Sequence, residues 1–133
     1  MAKRVFLGGT VNGSDWRSQL VEGLRLEYFD PVVEVWTEAD YKRELRERER
    51  CDYLLYVITP MMSGVYSIAE AVDDSNKHPQ KTLFCILKDD QGQSFAEFQQ
   101  RSLRGVERMI SSNGARIFDG LDGLRDWLNQ QAD

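Results

Sequence analysis

Residues 51–74 read CDYLLYVITPMMSGVYSIAEAVDD, a strand, a turn and a helix in one run. From Tyr53 to Thr59 the side chains are apolar, β-branched or aromatic almost without interruption, which is the composition of a strand buried on both faces. Pro60 ends the ladder because it has no N–H to donate, and Ser63-Gly64 supplies a loop with a helix start behind it. Inside that helix one carboxylate, Glu70, stands among Ile68, Ala69, Ala71 and Val72. An acid on so small and apolar a background calls for an explanation.

The same alternation continues outward on both sides. Lys3 to Leu7 is a short apolar strand that runs into Gly8-Gly9-Thr10, where missing side chains let a ligand or another backbone come close. Asn12-Gly13 turns the chain, Ser14 or Asp15 is placed to cap, and Trp16, Leu20, Val21 and Leu24 recur at helical spacing, which predicts a first helix over Asp15 to Glu27. Val32 to Val35 reads as a second strand, and Thr37 with Asp40 as a capping pair for a helix over Glu38 to Arg50. Only Tyr41 and Leu45 anchor that helix, so it is solvated or faces a polar pocket or a subunit contact. Beyond the central run, His78-Pro79-Gln80 breaks the chain and Thr82 to Leu87 is a fourth strand. Asp89 to Gln93 reads as a polar loop, and Phe95 to Ile110 as an amphipathic helix weakened at Gly105 and ended by Ser111 to Gly114. Ala115 to Phe118 is a fifth strand, and Asp119 caps a last helix with Leu121, Leu124, Trp127 and Leu128 on one side.

Five strands alternating with five helices predict one α/β domain over residues 1–133, a doubly wound parallel sheet covered on both faces with right-handed crossovers. The order 2-1-3-4-5 is the expectation at this size, with ligands beyond the carboxyl ends of strands one and three, where the winding reverses. Gly8 to Trp16 and Thr59 to Glu70 should therefore face one crevice.

Composition bounds the function. With 41% hydrophobic and 29% charged residues the chain is an ordinary globular one, so disorder is not the default. Lys+Arg 17 against Asp+Glu 22 leaves a net charge of -5, which repels a phosphate polymer and disfavours a nucleic-acid partner. Cys51 and Cys85 lie in or beside core strands without metal-ligand spacing and read as buried thiols of a reducing compartment. No segment approaches the ~20 apolar residues that span a bilayer, so no membrane partner is expected and a cytoplasmic protein is.

Catalytic motifs narrow the chemistry further. There is no Walker lysine motif, GxGxxG, HExxH or GxSxG, and the single histidine, His78, falls in a loop on the opposite edge of the sheet, so neither metal nor cofactor is called for. Carboxylate chemistry with aromatic and hydroxyl groups remains, from Glu70, Glu44, Asp30, Trp16, Trp36, Tyr66 and Ser67. An ionised carboxylate can attack an anomeric carbon while a second acid assists the leaving group.

Specific residues carry a family resemblance. FLGGT at Phe6 to Thr10, Trp16-Arg17, YFDP at Tyr28 to Pro31, Trp36-Thr37, CDYLLYVITP, and GVYSIAEAVD at Gly64 to Asp73 resemble the nucleoside 2-deoxyribosyltransferase-like family, related to the deoxynucleoside 5'-monophosphate N-glycosidases. The matching pieces span most of residues 3 to 87. Asp52 and Glu70, 18 apart, resemble that family's strand aspartate and nucleophilic glutamate, and Glu44 stands where its members carry an assisting aspartate. The resemblance implies a flavodoxin-like fold and a double displacement on a nucleoside or nucleotide, with Glu70 attacking C1'. It further implies that Gly8, Gly9 and Thr10 line the sugar or base pocket, that Ser63 to Ser67 approach the 5' end, and that Trp16 stacks on the base. Where the transferases have an aspartate six residues before the nucleophile this chain has Gly64, and Ser63 lies one position from the glycosidases' phosphate-contacting serine. A homo-oligomer whose subunits complete one another's sites is also implied by the relatives.

Plainer readings stand beside these. Glu44 belongs to KRELRERER, where acids pair with arginines at helical spacing, Asp52 can simply end a strand, and Gly8-Gly9 can be a tight strand exit. Trp16 is as readily a packing anchor as a stacking platform, and Trp36 and Tyr66 are core or rim aromatics. The rival functions are a non-catalytic nucleotide-binding or sensing module and a glycohydrolase acting on a dinucleotide such as NAD.

Overall fold

The computed structural model describes residues 2–11 and 13–132. The strands are β1 (Arg4–Gly9), β2 (Glu27–Phe29), β3 (Tyr53–Ile58), β4 (Thr82–Ile86), β5 (Asp89–Asp90), β6 (Gln93–Ser94) and β7 (Arg116–Phe118). The α-helices are α1 (Trp16–Val21), α2 (Glu38–Arg50), α3 (Tyr66–Lys77), α4 (Glu97–Ser112) and α5 (Leu121–Gln131). Five strands form one parallel sheet in the order β2-β1-β3-β4-β7, the flavodoxin-like arrangement that the sequence predicts.

The central strand explains the two layers. Side chains alternate along β3, so Leu54, Tyr56 and Ile58 join Phe6, Phe84, Ala71 and Ile110 on the face covered by α3 and α4. Leu55 and Val57 point the other way, to Val5, Leu7, Trp16, Leu20, Leu124 and Leu128 under α1 and α5. Cys51 and Cys85 are buried free thiols, and burial pushes them up to about 11 and about 12, so both stay protonated and unreactive.

Several boundaries differ from the sequence reading. The first helix stops at Val21 rather than Glu27, because Gly23 takes φ +85 and turns the chain at once; Arg125 donates to the carbonyls of Leu20 (3.1 Å) and Gln19 (2.6 Å) at that end. The second strand is therefore Glu27–Phe29, in register with Arg4 to Phe6, and not Val32 to Val35. Those valines are exposed, whereas Phe29 is buried with its ring 5.8 Å from that of Phe6. The supposed polar loop at Asp89 holds a hairpin, β5 and β6, turned by Gln91 and Gly92, both at positive φ. The last helix is capped at Gly120, not by the Asp119 side chain. The turn expected at Asn12-Gly13 falls partly on Asn12, which lies outside the described residues.

Helix α2 runs over Glu38–Arg50 as expected, with a full capping box between Thr37 and Asp40. Its two apolar anchors, Tyr41 and Leu45, stay more than a third exposed. Charges dock it instead: buried Glu47 meets Arg4 at 2.6 Å, and Lys81 donates to the carbonyls of Glu49 (3.0 Å) and Cys51 (2.9 Å) at its carboxyl end.

Where β1 meets β3 the backbones leave no room for a side chain. Gly9 has φ +123, and a Cβ there would press into the Val57 backbone, 2.7 Å from its nitrogen. Gly9→Ala should lower unfolding stability by at least ~2 kcal/mol, combining overlap with a left-handed backbone. Gly105→Ala, inside α4 with open space around it, should raise stability by ~0.5–1 kcal/mol. Urea melts of both variants check the opposed signs.

Candidate active site

A cavity of about 490 Å³ opens beyond the carboxyl ends of β1 and β3, at the reversal of the winding. Gly8 and Gly9 form one wall, the loop from Pro31 to Trp36 a second, and Tyr41 and Glu44 of α2 a third, closed by Tyr66, Ser67 and Glu70 of α3. Phe6, Val11 and Arg17 complete the lining. The valines misread as a strand serve here: Val32 and Val33 are wall, not sheet.

Glycine at Gly8 and Gly9 lets the wall come this close. A Cβ on Gly8 would meet the Tyr56 ring at 2.6 Å, so backbone rather than side chain borders the cavity. Ser67 Oγ donates to the Gly9 carbonyl at 3.2 Å and fixes the start of α3 against the end of β1. Arg17 reaches the same strand end from α1, donating to the carbonyls of Leu7 (3.0 Å), Thr10 (2.7 Å) and Gly9 (3.4 Å). Burial lowers its pKa to about 10 against the pull of Asp30 at 3.5 Å, so it stays charged at neutral pH and is spent on holding the backbone.

Glu70 is a buried acid on the cavity wall. Its side chain is only 9% exposed, and Glu44 of α2 lines the same cavity. Burial first, then the hydrogen bond with Glu44 and its charge, push Glu70 up to about 8; Arg48 pulls the other way and Asp74 adds to the rise. Glu70 Oε2 accepts no hydrogen bond from the described residues, though Arg48 Nη1 stands 3.4 Å away. A buried acceptor left open at a cavity is a mark of function.

Behind the pair lies a charge network. Arg48 grips Asp74 with two arms, Nε at 3.1 Å and Nη2 at 3.0 Å, and touches Asp73 at 3.4 Å. Tyr56 donates its hydroxyl to the same Asp74 at 2.5 Å.

Of the residues singled out in the sequence, Gly8, Gly9, Trp36, Glu44, Tyr66, Ser67 and Glu70 meet at the cavity. Others do not. Trp16 is buried and donates Nε1 to the Thr10 carbonyl at 2.8 Å, so it packs and offers no face for stacking. Thr10 is buried too, its hydroxyl accepting from the Thr59 N–H at 3.0 Å, which ties β1 to β3. Asp30 caps Val32 N at 2.9 Å and pairs with Arg17 from outside the lining. Ser63 and Gly64 sit in the exposed loop ahead of α3, away from the wall. Asp52 accepts from Arg4 N at 2.8 Å at the amino end of the sheet, just ahead of β3 and at the opposite end of the strands from the cavity.

The profile of the family described as nucleoside 2-deoxyribosyltransferase like matches residues 2–89, more than half of the chain. The chain belongs to the nucleoside 2-deoxyribosyltransferase-like family. Every residue lining the cavity falls inside the matched segment, while α4, β7 and α5 fall outside it. No curated protein matches the chain. Membership in this family points to a glycosyltransferase-like or glycosidase enzyme acting on a small nucleoside-type molecule. No helix among the described residues is long and apolar enough to cross a membrane.

Sequence reasoning missed Arg17, Tyr41 and Arg48. A signal existed for the last: Arg48 is one helical turn from Glu44, and Glu70 and Asp74 are likewise a turn apart, so two facing helices each present a matched pair.

The raised Glu70 has a measurable cost. Between the ordinary glutamate range and about 8 the folded chain binds more protons than the unfolded one, so stability falls as pH rises through that window. Urea midpoints should show a loss on the order of 1–2 kcal/mol between pH 5 and pH 8 attributable to the pair, and Glu70→Gln should flatten that part of the dependence.

Proposed function

We propose that the protein breaks the N-glycosidic bond of a nucleoside, nucleotide or related ribosylated metabolite, with Glu70 as nucleophile and Glu44 as its acid/base partner. The observation that carries this reading is buried Glu70, its Oε2 without a hydrogen-bond partner among the described residues, set with Glu44 on the wall of an aromatic-edged cavity, in a chain of this family. Burial favours a protonated Glu70 at rest; passing that proton to Glu44 on the facing helix would create the nucleophile and the acid in one step.

The Glu70 oxygen then forms a bond to C1' as the C1'–N bond breaks, its electron pair leaves with the base, and the Glu44 proton goes to that base nitrogen. In the second half Glu44 removes a proton from the incoming water or acceptor base, whose lone pair attacks C1' and expels the Glu70 carboxylate. Hydrolysis and transfer differ only in that incoming group. Trp36 and Tyr41, 5.5 Å apart edge to face, and Tyr66 offer ring faces to a base, while the glycine wall leaves room for a sugar. The two free thiols suit the reducing cytoplasm.

Incubation with a mixed nucleoside and 5'-nucleotide pool, followed by chromatography, should show free base. Glu70→Gln should abolish the release while the circular dichroism spectrum holds, and Glu44→Gln should slow it by ~10²–10⁴-fold. Retained turnover in Glu70→Gln, or calorimetric binding across the pool with no base released, sinks the proposal; the second result identifies a sensor. Release of nicotinamide from NAD alone would reassign the substrate.

A further inference from the structure

We propose that Arg48 is a positioning residue that stabilises the ionised form of Glu70. This rests on reading Glu70 as the nucleophile. The geometry is asymmetric. Arg48 Nη1 lies 3.4 Å from Glu70 Oε2, whereas Glu44 has no ion-pair partner among the described residues. One cation beside one of two neighbouring carboxyls biases where the negative charge resides.

Arg48 is not free to drift from that place. Asp74 holds its guanidinium with two hydrogen bonds, Tyr56 fixes Asp74 from the central strand, and the side chain is only 11% exposed. The planar fork matters, because two of its nitrogens bind Asp74 while the third is left aimed at Glu70. The other groups facing Glu70 do not supply this charge. Tyr41 and Glu44 come from α2, Tyr66, Asp73 and Asp74 from its own helix, and Tyr56 from β3, all neutral or acidic; Arg17, across the cavity, is engaged by Asp30 and three carbonyls. Arg48 does not itself line the cavity, so it acts on substrate only through Glu70.

The test is a carbon-13 carboxyl NMR titration of the full chain, with Glu70→Gln and Glu44→Gln used for assignment, joined to the pH profile of base release. In Arg48→Met the Glu70 titration should move up by about one pH unit, a tenfold change in proton affinity. The kcat profile should move with it, and kcat near neutrality should fall with KM unchanged. Arg48→Lys, which keeps the charge and loses the fork, should show a smaller shift in the same direction and recover part of kcat; it also serves if Arg48→Met does not fold. A Glu70 titration that stays put in a folded Arg48 variant overturns the inference, as does uniform loss of activity with an unmoved profile. The NMR arm needs no turnover, so it separates this inference from the functional reading. Base release surviving in Glu70→Gln fells that reading, and with it the nucleophile that Arg48 would serve.

Discussion

The buried ion pair between Arg48 and Asp74 is what the rest of the site depends on. Helix α2 has almost no apolar stripe to press against the sheet, and its two large apolar side chains are partly open to solvent. The helix is located instead by Arg48 on Asp74, Arg4 on Glu47 and Lys81 on its last carbonyls. A buried pair contributes little net stability once desolvation is subtracted, because both ions lose their water. Its value lies in geometry: a bidentate fork accepts one orientation, and that orientation sets Glu44 against Glu70. An apolar contact of equal area would hold α2 with far less control of rotation.

The other half of the site is a backbone constraint. Parallel pairing of β1 and β3 continues to Gly9 opposite Val57, then Thr10 N donates to the Val57 carbonyl at 2.9 Å. Any Cβ at Gly9 would push the strands apart, and Arg17 and Trp16 both bond to the Thr10 carbonyl to hold the strand end once it has left the ladder. A buried arginine and a buried tryptophan are thereby given to three carbonyls, the expected solution where a strand terminates inside the protein without a partner. Cation and indole also stack, with the guanidinium 4.4 Å from the ring centre. The cavity wall is rigid for this reason, not because side chains fill it.

These two constraints explain what was legible in the sequence. Strands with continuous apolar runs, Tyr53 to Ile58 and Thr82 to Ile86, announce themselves because burial on both faces leaves no polar alternation to read. The Glu38–Arg50 helix was visible through its capping box. Edge elements were not: β2 has three residues with one buried, and a run of valines nearby carried a stronger strand signal than the strand itself. Glu70 stood out against Ala and Ile, but its neighbours in space come from another helix, and one sequence does not state how two helices face. Arg48 was hidden among Arg46 and Arg50, which are exposed, because only burial distinguishes the three. Thr10 and Trp16 matched a motif for reasons of packing, so a motif residue near a site is not thereby in it.

Glu70 joins the two halves and is the place where folding and chemistry pull in opposite directions. Its helix has apolar neighbours at Ile68, Ala71 and Val72 because that face packs on the sheet, and the same packing strips water from the carboxylate. Taken alone, that would keep the group protonated and inert as a nucleophile. Arg48 is the only basic side chain ion-paired with Glu70 among the described residues, and Asp74 has first claim on it. Asp74 and Tyr56 hold the guanidinium and so set how near it stands to Glu70. At 3.4 Å, with no hydrogen bond to Oε2, the guanidinium is close enough to stabilise charge on Glu70 without taking up that oxygen's lone pairs.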